Sequence, residues 1–276
     1  MTAHLEGQFV GGEGQLYWQA WQPDAAKALL VIVHGFDDHS GRYAHVAEYF
    51  SARGFAVYTF DQIGHGKSGG ARGHIDRFDD YVEDLDRLIG LARSKSPGVK
   101  VFLYGHSQGG MVALRYGIAY PDRVNGIITS GAGMMLAMPT PAWKVGLGKV
   151  LARGMPRFAM ANGIPLDALT HDEQMLALTR SDPLRHGRAS ARWADEFFKA
   201  QQDTLANASQ LHVPLLMLHG GSDRLIDPEA TKRFYASAAS RDKRMKIYDG
   251  MYHEICNEVG RERVLADMEQ WLNERL

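Results

Sequence analysis

The chain is 276 residues long, 45% hydrophobic and 23% charged, the proportions of a globular chain with apolar side chains enough for one large core. Its 31 basic and 32 acidic side chains nearly cancel, which leaves no basic surplus for binding nucleic acid. A single cysteine, Cys256, excludes an internal disulfide, and the longest apolar run, ALLVIV from Ala28 to Val33, is far too short to cross a bilayer.

The first residues, MTAHLEGQFVGGEG, carry neither a charged n-region nor an apolar h-region, so no signal peptide is expected and a cytoplasmic location is. The GGEG break reads as a hairpin turn. ALLVIV reads as a buried strand, followed by a helix within RYAHVAEYFSARG, and FAVYTF as a second β-rich run. From Phe78, the segment FDDYVEDLDRLIGLA places Phe78, Tyr81, Val82, Leu85, Leu88, Ile89 and Ala92 on one helical stripe, with Asp76 in the N-cap position. VKVFLYG is a third strand and MVALRYGIAY a helix stopped by Pro121. VNGIITSG, VPLLMLHG and RMKIYDG are further strands, and a last helix runs from near Arg261 to near Leu276.

Alternating strands and helices predict an α/β fold: a mostly parallel central sheet with helices on both faces. Between Gly133 and Leu211 the rhythm stops and only helical patterns remain. Thr140-Pro141 reads as an N-cap followed by Pro at N1, Thr170 with Glu173 as a capping box, and SARWADEFFKAQQDTL as a third helical stretch. The expected organisation is a core of residues 1–132 and 212–276 with a helical cap, or lid, inserted at 133–211.

Gly105-His106-Ser107-Gln108-Gly109 fits G-x-S-x-G with a strand before it and a helix after it. In such a nucleophile elbow the turn is so sharp that flanking Cβ atoms would collide with adjacent strands, and the serine hydroxyl is lifted clear of the sheet at the positive end of the helix. A serine hydroxyl is a poor nucleophile without a base, so a histidine and an orienting acid are required, in the order Ser, Asp/Glu, His. Asp223 in LLMLHGGSDRLID and His253 in IYDGMYHEICNE both follow strand ends. Asp227 is a rival acid that could instead cap a helix starting at Pro228, and Asp249 is a second rival. The oxyanion of the reaction calls for two backbone N–H donors, Gln108 after the nucleophile and Phe36 in VIVHGFDDHSGRY.

HGFDDHSGRY, FDQIGHGKSGG, GHSQGG, SDPL, HGGSDRLIDP and YDGMYHE together resemble the monoglyceride lipase/lysophospholipase-like branch of the α/β-hydrolase superfamily, over most of the chain from about Ala28 onward. The resemblance implies the α/β-hydrolase fold, Ser107 as nucleophile, Asp223 as acid, His253 as base, and Phe36 and Gln108 as oxyanion donors. It also places Asp38 and Arg42 near the polar end of a bound substrate; read locally, the same two residues make an i,i+4 ion pair. The chain departs from the family pattern where Asp37 stands for Gly, Asp38 for Glu, and Gln108 for Met.

The implied activity is a serine carboxylester hydrolase that works through an acyl-enzyme on monoacylglycerols or lysophospholipid-like esters. A short-chain carboxylesterase, a serine peptidase or an acyltransferase would share the triad, and a non-catalytic binding protein of this fold is the alternative from another class. The partners expected are a small ester or lipid and no nucleic acid, with the oligomeric state left open.

No cofactor is expected. Gly64-x-Gly66-x-x-Gly69 lacks the acidic residue a dinucleotide site needs, Asp61 replaces the first glycine of a P-loop, and His253-x-x-Cys256 has no completing metal ligands. His34, His65 and His106 read as loop hydrogen-bonding residues. In the cap, Trp143, Leu147, Val150, Leu151 and Phe158 face one side of a helical wheel and Lys149, Arg153 and Arg157 another, a pattern that suits transient contact with a membrane or micelle at the protein's periphery. Met134, Met135, Met138, Met155 and Met160 add adaptable apolar surface.

Overall fold

The computed structural model describes residues 2–138 and 140–276. β1 (Thr2–Val10) and β2 (Gln15–Pro23) form the antiparallel hairpin, whose turn is closed by the Gly11 amide donating to the Gly14 carbonyl at 2.8 Å. Then come β3 (Ala28–Val33), α1 (Ala44–Ser51), β4 (Phe55–Phe60), α2 (Asp79–Lys95), β5 (Lys100–His106), α3 (Gln108–Ala119) and β6 (Gly126–Ser130). A long segment holds α4 (Ala142–Gly154), β7 (Ala159–Ala161), α5 (Glu173–Ser181), β8 (Arg188–Ser190) and α6 (Ala191–Ala206). The chain re-enters the sheet as β9 (Leu215–Gly220) and ends with α7 (Pro228–Ser237), β10 (Lys243–Tyr248) and α8 (Glu262–Asn273).

The main sheet has eight strands in the order β1-β2-β4-β3-β5-β6-β9-β10, parallel from β4 to β10. β3, β4 and β9 are buried at every residue, because side chains alternate between two covered faces. Leu29, Val31 and Val33 join Tyr58, Leu103 and the apolar faces of α2, α3 and α7 on one side. Leu30 and Ile32 join Val57, Phe102 and the inner faces of α1 and α8 on the other.

Three predicted helix ends move, the one at Thr170 because a tertiary hydrogen bond claims the residue. α2 begins at Asp79, and Asp80 reaches back from inside the first turn to accept from the Arg77 amide at 3.1 Å; Asp76 sits beside His74 instead, at 3.3 Å. α5 is capped by Asp172, whose Oδ1 accepts from the amides of Gln174 and Met175, while Thr170 donates to the Asn257 carbonyl at 2.9 Å. Pro141 itself, with ψ 137°, is the N-cap of α4. The segment between β6 and β9, called the cap below, also contains a two-stranded antiparallel ribbon, β7 with β8, where only helices were expected. Three residues per strand are too few to show a period of two.

Candidate active site

Ser107 leaves the end of β5 with φ 53° and ψ −120°, a left-handed conformation that costs a side-chain-bearing residue energy and needs a rigid surround. The glycines provide room for it. A Cβ on Gly109 would stand 2.1 Å from the Val33 carbonyl oxygen and 2.4 Å from that of His34, and one on Gly105 would stand 2.3 Å from the Gly109 carbonyl oxygen. These obstacles are backbone atoms and cannot turn away.

The loops after β9 and β10 are laced together by Ser222 N–H donating to the Met251 carbonyl at 2.9 Å and Gly221 N–H to the Tyr248 carbonyl at 2.8 Å. Their approach requires Gly220, whose added Cβ would lie 2.0 Å from the Tyr252 carbonyl oxygen. In this embrace His253 Nδ1 lies 2.7 Å from Asp223 Oδ2. An ionised carboxylate only accepts, so Nδ1 carries the proton and Nε2 is left with its lone pair. Asp223 Oδ1 accepts from the amides of Leu225 (2.8 Å) and Ile226 (3.0 Å), and His219 Nε2 stands 3.1 Å from Oδ2.

Burial alone would raise the Asp223 carboxyl, but His253 and His219 hold it far below the usual carboxylate range. Burial would likewise lower His253, and the Asp223 carboxylate overrides it, lifting the imidazole above 6.5. The neighbouring His106 is pushed down to about 4, first by burial and then by His253, whose ring centroid is 4.7 Å away; its Nδ1 is paired with Ser130 Oγ at 2.9 Å.

Ser107, His253, Phe36 and Gln108 line one cavity of about 700 Å³, roofed by the cap through Leu136, Leu147, Leu151, Met160, Trp193 and Phe197. The loop bearing Phe36 passes beside the serine: a Cβ on Gly35 would be 3.2 Å from Ser107 Cβ. The rival acids lie elsewhere. Asp227 Oδ1 caps α7 by accepting from the Glu229 amide at 2.9 Å, and Asp249 is exposed.

Asp38 and Arg42 line the cavity and make the i,i+4 ion pair at 3.1 Å. Sequence reasoning missed their third partner. Glu254, next to His253, takes both guanidinium nitrogens of Arg42 at 3.0 and 2.8 Å, while Thr179 accepts at 2.8 Å and the Tyr43 hydroxyl donates to Asp38 at 3.0 Å. It also missed His219 as a second neighbour of Asp223, although both sit in LMLHGGSD with a spacing that brings them to the same strand end. The carboxylate of Asp37 turns to the cap, where Asn162 and Arg185 meet it.

His34 and His65 serve loops. His34 Nδ1 pairs with the Gly35 carbonyl at 2.7 Å and its Nε2 accepts from the Gln62 amide at 2.9 Å; His65 Nδ1 pairs with the Ile63 carbonyl at 2.9 Å. The glycine-rich loop after β4 is scaffold, with Asp61 accepting from the amides of Ser40 and Lys67 at 2.7 Å each. Cys256 is buried 3.1 Å from the Tyr104 hydroxyl, and burial pushes its thiol up to about 12.

Residues 24–260 match the family described as serine aminopeptidase, S33. A monoacylglycerol lipase of Mycolicibacterium smegmatis is 34% identical over 98% of this chain and 98% of its own. A human monoglyceride lipase is 31% identical over 96% of this chain and 89% of its own. The crystal structure of Paleococcus ferrophilus monoacylglycerol lipase superposes with a TM-score of 0.85 at 29% identity, covering both chains in full. The protein therefore belongs to the serine aminopeptidase S33 family of α/β hydrolases, and is a serine ester hydrolase of the monoglyceride lipase type.

Proposed function

We propose that the protein hydrolyses single-chain carboxylic esters, monoacylglycerols foremost, through an acyl-enzyme on Ser107. The observation that carries the reading is the 2.7 Å His253–Asp223 pair opening onto the same cavity as the strained serine. Ser107 Oγ attacks the ester carbonyl as its proton passes to His253 Nε2. Asp223 holds the imidazole in the tautomer that can take that proton and balances the imidazolium. The amides of Phe36 and Gln108 receive the oxyanion, where each such donor is worth about 2.7–4 kcal/mol. His253 then protonates the leaving alcohol, and water repeats the cycle to free the fatty acid. Side chains and backbone supply every step, so the scheme calls for no cofactor.

The cap, residues 133–211, supplies most of the apolar lining and is read as the acyl-chain compartment. Asp38, Arg42 and Glu254 line the polar end, where both carboxylates hold the Arg42 guanidinium and leave it no open face for a phosphate, which favours a neutral hydroxyl-bearing head. Aminopeptidase activity would need a carboxylate free to bind the substrate amine. The cavity-lining carboxylates Asp38 and Glu254 pair with Arg42, and Asp195 with Lys199 at 2.7 Å. No helix among the described residues is long and apolar enough to cross a membrane. Contact with a lipid surface is assigned to α4, which exposes Trp143, Leu147 and Val150.

The test is labelling by a fluorophosphonate probe together with a chain-length series of glycerol, methyl and lysophospholipid esters. Ser107→Ala should abolish both labelling and turnover; retained turnover would remove the acyl-enzyme. Preference for a lysophospholipid would overturn the assignment of a neutral head.

A further inference from the structure

We infer that Asp37 is a positioning residue through which the cap fixes the oxyanion loop; the inference rests on the reading of Phe36 and Gln108 as the oxyanion donors. Asp37 has φ 55°, and among the described residues Ser107 is the other non-glycine residue with positive φ. A conformation of this kind persists in a side-chain-bearing residue when its surroundings over-determine it. Here the surroundings belong to the cap. Oδ1 accepts from the amides of His186 and Gly187 at 2.8 Å each, and Oδ2 accepts from Asn162 Nδ2 and Arg185 Nη2 at 2.9 Å each. The carboxylate is buried, so these charge-assisted bonds are little weakened by water.

The residues on either side of the proposed oxyanion site are held from the same direction. The Phe36 ring stacks on Trp193 of α6 with centroids 3.6 Å apart and planes 22° from parallel. Trp193 Nε1 donates to Gln108 Oε1 at 2.9 Å, Gln108 Nε2 donates to Gln62 Oε1 at 3.4 Å, and Gln62 Nε2 donates to the His34 carbonyl at 2.7 Å. Two of this chain's departures from the family pattern, Asp37 for Gly and Gln108 for Met, thus both form bonds to the cap. Asp37 touches no reacting atom. It acts by holding the Phe36 amide at hydrogen-bond distance from the forming oxyanion, where a shift of a fraction of an ångström weakens the bond.

The experiment compares the wild type with Asp37→Gly, because glycine accepts the left-handed backbone while the four cap bonds disappear. Both are assayed on a water-soluble butyrate ester and on its thionoester, whose sulfur takes hydrogen bonds weakly and so draws little from the donors. The expected result is a kcat loss of about 10- to 100-fold on the oxoester, KM held within about 3-fold, and an oxo-to-thiono rate ratio that contracts by the same factor. A variant that melts like the wild type and keeps its kcat and its ratio overturns the inference. So does a kcat loss with an unchanged ratio, since general damage slows both esters alike. If Asp37→Gly does not fold, Arg185→Gln attacks the clamp from the cap side and is read by the same ratio. Turnover surviving in Ser107→Ala would sink the acyl-enzyme instead; a dead Ser107→Ala beside an unchanged ratio sinks the clamp alone.

Discussion

Asp223→Asn probes the proposed mechanism most directly, because the structure dictates how the new amide must sit. Oδ1 lies under two backbone donors, the amides of Leu225 and Ile226 at 2.8 and 3.0 Å. The asparagine must keep its carbonyl oxygen there, which turns its NH2 toward His253 Nδ1, now 2.7 Å from Oδ2, and toward His219 Nε2 at 3.1 Å. A donor facing Nδ1 forces that nitrogen to accept, so the imidazole proton moves to Nε2. In that tautomer His253 cannot take the serine proton. Loss of the acid in this way lowers kcat by about 10⁴-fold, which at 1.36 kcal/mol per tenfold is about 5.4 kcal/mol of barrier. The assay is kcat on a soluble ester, with a melting curve to show that the fold is kept. A folded variant within tenfold of the wild type would refute the role given to Asp223.

The remaining predictions touch other parts of the site. With the neutral imidazole as the proposed base and the Asp223 carboxylate lifting His253 above 6.5, kcat/KM should climb with pH through that raised value and be lost as pH falls below it; an acid limb centred at or under 6.5 contradicts the pairing. Gly109→Ala drives a methyl to 2.1 Å from the Val33 carbonyl oxygen and should cost about 3 kcal/mol or more in a urea titration, whereas a loss under about 1 kcal/mol would mean that the elbow can yield. Arg42→Met strands the buried carboxylates of Asp38 and Glu254 and should destabilise by about 3–5 kcal/mol, with partial recovery on adding Glu254→Gln; a change in KM with stability intact would show that Arg42 serves the substrate alone. Trp143→Ala, at a position 67% exposed, should slow hydrolysis of micellar ester more than of monomeric ester, and equal losses on both would remove the lipid-surface contact.

The central sheet was legible because β3, β4 and β9 are buried on both faces and so appear as unbroken apolar runs, a signal that survives without knowledge of their neighbours. Helix ends in and near the cap were not. Thr170 and Asp76 have the chemistry of N-caps, but α5 is capped two residues on by Asp172, and α2 starts at Asp79 without a side-chain cap, its Asp80 accepting from the Arg77 amide before the helix. The ribbon of β7 and β8 was invisible for a related reason: it is anchored from outside, by the Ser190 amide donating to the Gly73 carbonyl at 2.9 Å, two residues far apart in the chain. Propensity describes a segment alone, and these segments are defined by what they touch.

At the candidate site, the strained turn at Ser107 was legible from its motif and the choice among acids rested on order and strand ends, for a reason that the glycines expose. Gly109 is readable because it belongs to a motif whose turn geometry is known in advance. Gly220 and Gly250 each lie within three residues of a candidate acid, Asp223 and Asp249, and on paper they are equivalent. In the structure Gly220 is where two loops nearly touch, 2.0 Å from Tyr252 O if a Cβ is added, whereas Gly250, with φ 77°, has open space around it and merely turns the chain. The first kind of glycine draws an acid and a histidine together, and the second leaves its acid in solvent. One letter stands for two physical demands, close approach and left-handed backbone. Only the partner that arrives from elsewhere in the chain distinguishes them, which is why the Asp223–His253 pair is a property of the fold and not of either segment.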